Sequence, residues 1–220
     1  MDRILDSLDV LARKPLAEAT AMPRDIYISP EIHQRERERI FAHDWICVGR
    51  TDEIPNIGDY LTFDLCEQPL LLVRGSDNII HARANVCLHR MMRLAHGSGH
   101  TRKFTCPYHA WTYDIDGKLI AAAYMDRTTC FDRQSLHLPE IRCELFHGWI
   151  YVTMNKDAVP IKDLLIDLVP LVRPYQMEQY VTIFRQEHVW KTNWKHLTEN
   201  FMEGYHLRVA HKNTVGAHFG

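Results

Sequence analysis

Four side chains of the types that bind transition metals fall into two short clusters. One reads Cys87-Leu88-His89-Arg90 and the other Cys106-Pro107-Tyr108-His109, so each offers one thiol and one imidazole. Sixteen residues separate His89 from Cys106, enough for a β-hairpin that brings two loops together. A structural zinc ion takes two Cys and two His in a tetrahedron. Zinc fingers, however, usually pair Cys with Cys in one loop and His with His in the other. One of each per loop suits a two-iron cluster, with both thiolates on one iron and both imidazoles on the other.

A second group lies downstream. Glu203, His206 and His211 supply a carboxylate and two imidazoles, the donors of mononuclear non-haem iron sites that leave positions open for other ligands. Five residues at roughly 100° each set the two His about 140° apart on an ideal helix. They can share one metal only if the helix ends or distorts, and Arg208-Val209-Ala210 is where that is expected. Taken alone, the same spacing also describes a solvated polar helix face. The total of 14 His adds a weak lean toward metal or acid–base chemistry.

The elements that must position these groups follow from periodicity. From Trp45 to about Thr153, short apolar runs alternate with turn residues. Trp45–Val48, Tyr60–Leu65, Pro69–Val73, Ile79–Ala82 and Phe146–Thr153 are predicted strands, with turns at Gly75–Asn78 and Asp114–Gly117. Many short strands with close turns make a small antiparallel β domain. Ile4, Leu5, Leu8 and Leu11 mark an amphipathic N-terminal helix, and Ser29–Asp44 a charged helical stretch. Beyond Asn155, Ile161–Val169 is expected to be helical and to end before Pro170, Tyr180–Trp190 to be a strand, and Asn193–Arg208 a helix. The last would carry Trp194, Leu197, Phe201 and Tyr205 on one side and His196, Glu199, Asn200 and Glu203 on the other. The fold class is therefore α+β, with an N-terminal helical segment over 1–40, a β domain over 41–155, and the start of a helix-on-sheet domain over 156–220.

Composition narrows the partners. The 220 residues hold 26 Lys+Arg and 28 Asp+Glu, a formal charge of −2 that argues against nucleic acid or an anionic membrane surface. Hydrophobic residues at 46% and charged residues at 25% are ordinary globular usage. No apolar run approaches the roughly 18 residues of a membrane span, and Met1–Thr20 has no signal-like apolar region, so the expected location is the cytoplasm. Of the six Cys, those at 47, 66, 130 and 143 have no His at ligand spacing and are expected to be small buried hydrophobes.

Cys87-x-His89-Arg90, then Cys106-Pro107-Tyr108-His109-Ala110-Trp111-Thr112-Tyr113 and Asp116-Gly117, closely resemble the Rieske domain of Rieske non-haem iron oxygenases. The family often has Gly after the His-Arg pair, where this chain has Met91. The resemblance implies an iron–sulfur-protein-like domain holding a Rieske 2Fe–2S cluster on Cys87, His89, Cys106 and His109. Tyr108 could donate its hydroxyl to the cluster sulfurs, and Trp111 is expected to pack in the core. Asn193-Trp194-Lys195, Glu199-Asn200-Phe201 and Tyr205-His206-x4-His211 are similar to the iron-binding helix of the same family. That implies His206 and His211 as ligands of a mononuclear Fe(II), Asn200 near the iron, and Glu203 as the carboxylate linking it to the cluster of a neighbouring subunit. The family usually has Asp at the last position, and Glu resembles the subgroup that oxidises quaternary ammonium compounds such as carnitine. The third ligand, a carboxylate well downstream of His211, matches no residue before Gly220, so the chain is expected to be an incomplete fragment. The implied activity is mono- or dioxygenation of a small organic substrate, a quaternary amine or an aromatic, with O₂. Electrons would come from NAD(P)H through a separate reductase or ferredoxin, and the assembly would be a homotrimer. The rival readings are a Rieske electron carrier without oxygenase chemistry and a zinc-stabilised binding module.

Overall fold

The computed structural model describes residues 2–218, which fall into two compact units. One spans Arg37–Arg185; the other joins the residues up to Glu36 with those from Gln186 onward. The fold class and its antiparallel β domain are those expected. Among the described residues no helix is long and apolar enough to cross a membrane.

The larger unit is built on a seven-stranded antiparallel sheet. Its strands in chain order are β1 (Ile46–Arg50), β2 (Asp59–Leu65), β3 (Gln68–Arg74), β4 (Ile80–Ala84), β5 (Ser98–His100), then, after a small separate sheet, β9 (Glu140–Phe146) and β10 (Trp149–Thr153). Their spatial order is β1-β10-β9-β4-β3-β2-β5. The small sheet consists of β6 (Lys103–Thr105), β7 (Thr112–Asp114) and β8 (Leu119–Ala121), in that order. Strand β3 is apolar on both faces because both are covered. Leu70 and Leu72 point into a core with Leu61, Ile80, Ile150 and Val152, whereas Leu71 and Val73 point into a second core with Trp111, Tyr113, Leu119 and Leu138. Cys87 and Cys106 belong to that second core.

Three expectations change here. The apolar run Phe146–Thr153 is not one strand: His147 and Gly148 both take positive φ, 47° and 83°, and close a hairpin between β9 and β10. Helix does not end before Pro170; that residue sits in the first turn of α5 (Val169–Val172), where its missing N–H costs nothing, downstream of α4 (Ile161–Leu164). Tyr180–Trp190 alternates but forms no strand, since a ladder needs a neighbour and none of the described strands pairs with it. Instead, Arg50 donates to the Met177 and Tyr180 carbonyls at 2.8 and 2.9 Å, and the Thr182 N–H reaches Asp52 Oδ2 at 2.6 Å.

The smaller unit holds α1 (Asp2–Ala12), α2 (Asp25–Ile28), α3 (Pro30–Glu36), α6 (Trp194–Met202) and α7 (Leu207–Ala210). In α1 the residues Ile4, Leu5, Leu8 and Leu11 are the part-buried stripe that their spacing predicts.

Candidate metal centres

The first centre is assembled by two loops of the same backbone design. In the first, the Cys87 N–H donates to the Met92 carbonyl (2.8 Å) and its carbonyl accepts from the Met91 N–H (2.9 Å). In the second, Cys106 N–H donates to Trp111 O (2.7 Å) and Cys106 O accepts from Ala110 N–H (3.0 Å). Each turn needs a left-handed residue four places after its Cys, and Met91 and Ala110 supply it at φ 56° and 57°. Met91 thus takes the conformation that glycine adopts freely, which is what its place after His89-Arg90 demands.

The loops sort their donors by type. Cys87 and Cys106 are buried in the same core, close enough for Cys106 to raise the Cys87 thiol. His89 and His109 face outward, with ring centroids 4.6 Å apart and edge-on. A zinc tetrahedron draws four donors to one point. Among the described residues no three His, Cys, Asp or Glu side chains converge in that way. A sulfur pair on the inside and an imidazole pair on the outside fit a cluster that takes two donors per iron.

The neighbouring groups suit such a cluster. Tyr113 is wholly buried; its hydroxyl accepts the Leu88 N–H at 2.9 Å and lies 3.4 Å from Cys87 Sγ, to which it would donate once that sulfur is a thiolate. Burial pushes the Cys87 thiol up; the Tyr113 hydroxyl and the His89 N–H oppose this, and Cys106 adds to it. Burial and then the adjoining Cys87 raise the Tyr113 hydroxyl. Burial, His89 and Arg90 lower His109, which favours the neutral imidazole that binds metals. Trp111 is buried as expected and also stacks on the His89 ring at 5.0 Å and 10°. Tyr108 is 57% exposed and lies against His109 at 3.8 Å rather than in the core with Cys87 and Cys106. The hydroxyl at the sulfur is that of Tyr113, which the sequence reading missed. Its one signal is a tyrosine at an inward position of a strand directly after the loop. Cys47 and Cys130 are exposed rather than buried, Cys47 pointing outward from β1 and Cys130 lying in the irregular stretch after β8.

The second group lies in the smaller unit. Helix α6 starts at Asn193, whose Oδ1 caps the Lys195 N–H at 3.0 Å. One carboxylate, Glu36 of α3, accepts from Lys195 Nζ at 2.6 Å and from Trp194 Nε1 at 2.9 Å. Tyr27 of α2 stacks on His196 at 4.1 Å and donates to Glu199 at 3.0 Å. The helix then stops at Met202, earlier than expected, and the break falls before His206 rather than between the two His. Glu203 is extended there; its carboxylate accepts from His206 Nδ1 and from the backbone N–H groups of Tyr205 and His206. His206 and His211 bracket the short α7, and their rings come within 5.3 Å. Glu203, held low by the His206 hydrogen bond, is thus joined to His206, whereas Asn200 lies exposed on α6. The apolar side expected for this helix is covered only in part: Trp194 and Leu197 are half-buried, whereas Phe201 is 78% and Tyr205 93% exposed.

Residues 44–132 match the Rieske [2Fe-2S] domain family, and residues 177–219 match the catalytic domain of the ring hydroxylating alpha subunit. In both matched segments the chain is similar to the alpha subunits of Rieske oxygenases. Both sites of the chain therefore fall within matched domains, which together imply an iron–sulfur cluster and a mononuclear iron. It is 36% identical over 198 residues to the glycine betaine monooxygenase oxygenase subunit of Chromohalobacter salexigens, covering 90% of this chain and 44% of that protein. It is 33% identical to the carnitine monooxygenase oxygenase subunit of Escherichia coli K12, covering 88% and 53%. Its fold matches a crystal structure of the apo form of the quaternary ammonium Rieske monooxygenase CntA with TM-score 0.83 at 32% identity, over 88% of this chain and 57% of that one. The chain spans about half the length of the curated relatives it matches.

Proposed function

We propose that the protein is the oxygenase component of a Rieske monooxygenase acting on a quaternary ammonium compound. It would hold a 2Fe–2S cluster on Cys87, Cys106, His89 and His109, and a mononuclear iron on His206, His211 and a carboxylate beyond His211. The observation that carries the first assignment is the sorting of donors, thiol beside thiol and imidazole beside imidazole, in two loops of one design. When bound, the metals supply single-electron transfer and activation of O₂ for hydroxylation.

The chain's own residues prepare both places. The buried sulfur pair is kept from water by Trp111 and the surrounding core, and the Tyr113 hydroxyl would donate to the Cys87 thiolate. Glu203 would accept a hydrogen bond from the Nδ1–H of His206, selecting the tautomer in which Nε2 is free to bind a metal. The same carboxylate ties down the backbone at Tyr205 and His206. A glutamate at this place, together with the carnitine and glycine betaine relatives, supports the quaternary amine class over an aromatic one. The rest of the reading is a homotrimer, located in the cytoplasm and fed from NAD(P)H by a separate reductase or ferredoxin.

Electron paramagnetic resonance of the dithionite-reduced protein should show the signal of a His-ligated two-iron centre. A colourless protein with stoichiometric zinc overturns the cluster. Supplied with a reductase, the protein should oxidise carnitine or glycine betaine in preference to an aromatic acid; the reverse preference overturns the substrate class.

A further inference from the structure

The two loops share a design but not a foundation. The second rises from a hairpin: β6 and β7 pair up to Thr105 opposite Thr112, immediately beside Cys106 and Trp111. The first has no such hairpin beneath it. It leaves β4 at Ala84, and Val86 opposite Arg93 is only an isolated bridge. The Leu94 N–H reaches the Asn85 carbonyl at a long 3.3 Å.

What closes the foot of this loop is a side chain. Asn85, two residues before Cys87, is wholly buried. Its Nδ2 donates to the Ala95 carbonyl at 2.9 Å, and its Oδ1 accepts the Ala95 N–H at 3.0 Å. A carboxamide offers one donor and one acceptor in the same sense as a peptide, so it can stand in for a strand partner. The backbone N–H of Asn85 is itself fixed to the Pro69 carbonyl of β3 at 2.9 Å. The chain from β3 to Asn85 to Ala95 therefore ties both feet of the loop to the central sheet. Ala95 and Leu94 are buried as well, so water cannot replace a lost bond there.

We propose that Asn85 is the positioning residue of the first loop, setting Cys87 and His89 against Cys106 and His109 by supplying the strand rungs that the loop lacks. The inference rests on the Rieske reading.

The test uses the full chain loaded with iron and sulfide. Asn85→Ala removes both bonds. Asn85→Asp keeps shape and acceptor but turns an oxygen toward the Ala95 carbonyl. Thr153→Ala is the control; Thr153 is equally buried, and its Oγ1 donates to the His43 carbonyl at 3.1 Å, from the end of β10. Both Asn85 variants should lose the cluster to a chelator about tenfold faster or more, the usual scale for outer partners of a metal site. Their reduced electron paramagnetic resonance signal should broaden and shift. Thr153→Ala should lower the melting temperature and change neither reading. An Asn85→Asp cluster that bleaches and resonates as the parent does, or a Thr153→Ala cluster that changes as much, overturns the proposal. Should neither Asn85 variant hold a cluster, amide exchange in the parent decides. The Ala95 N–H must then be protected as strongly as Leu71 of β3, and free exchange there overturns the proposal. A parent chain that takes up no cluster overturns the Rieske reading and this inference with it. A parent cluster indifferent to Asn85 overturns the inference alone.

Discussion

Cys87 and Cys106 are the two most buried of the six cysteines, and burial sets their chemistry. A buried thiol resists ionisation, so holding two thiolates side by side requires positive charge and hydrogen bonds at the sulfurs. Tyr113 gives one such bond. Tyr113→Phe should keep the cluster and lower its reduction potential in voltammetry, because hydrogen bonds to the sulfurs favour the reduced form. It should also cost about 1–3 kcal/mol in denaturant unfolding, since the Leu88 N–H loses its acceptor. Met91 and Ala110 give a prediction of opposite sign. A left-handed residue with a Cβ carries about 1–2 kcal/mol of strain, against about 0.5–1 kcal/mol of extra chain entropy for glycine. Ala110→Gly should therefore raise stability by about 0.5–1 kcal/mol, and an unchanged or lower denaturation midpoint counts against this. The donor pairs were legible in the sequence because ligand types and spacing are local. Tyr113 was not, because it acts on a loop remote in sequence, and Asn85 was not, because its role appears only once the fold sets the Ala95 backbone opposite its side chain.

At the level of elements, the β domain was legible wherever a strand had a turn signal at its end. Residues Pro69–Val73 and Ile79–Ala82 became β3 and β4, with Gly75–Asn78 turning between them. Phe146–Thr153 misled because its turn is built from His147 and Gly148 inside an apolar run, with only one glycine to mark it. Periodicity also carried the predicted helix through Glu203, whereas α6 stops at Met202 and Glu203 spends its carboxylate on the backbone that follows. What holds α6 at its other end is the Glu36 carboxylate on Lys195 and Trp194. Both charges of that pair are nearly nine-tenths buried. Glu36→Ala leaves a buried ammonium without its partner and should cost about 3–5 kcal/mol, read from Trp194 fluorescence during unfolding. Replacing Glu36 and Lys195 together by apolar residues should recover most of that loss. If the double variant is as unstable as Glu36→Ala, the cost comes from something other than the stranded charge.

Across the whole molecule the charges nearly cancel, so the pH dependence of stability comes from individual carboxylates rather than from net repulsion. Asp52 shows how. Burial alone would raise its carboxyl, but hydrogen bonds from Thr182 and Arg50 outweigh that and hold it below the usual range. Asp59 is likewise lowered against its burial, by Asn56 and His100. Glu67 and Asp77 are lowered mainly by the Arg37 side chain and the Ile79 N–H respectively. A carboxyl depressed in the folded state binds its proton more weakly than in the unfolded chain. Its contribution is therefore complete above the unfolded value, near 3.9 for Asp, and disappears as pH falls through the folded one. All four shifts share this sign, and the lowered His109 adds a loss that begins as pH falls through its free value near 6.5, so stability should decline gently below neutrality and more steadily below about pH 5. Asp52→Asn separates this from general acid damage. It should cost about 1–3 kcal/mol at pH 7, the range for hydrogen bonds to a charged group, because Arg50 and the Thr182 N–H keep only a neutral acceptor. The gap to the parent should close as the pH drops below the folded value of Asp52, since the parent's own carboxyl is then neutral. Urea unfolding of both proteins over a series from pH 7 down into acid reads this directly, and a gap that stays constant throughout would show that the carboxylate charge contributes nothing.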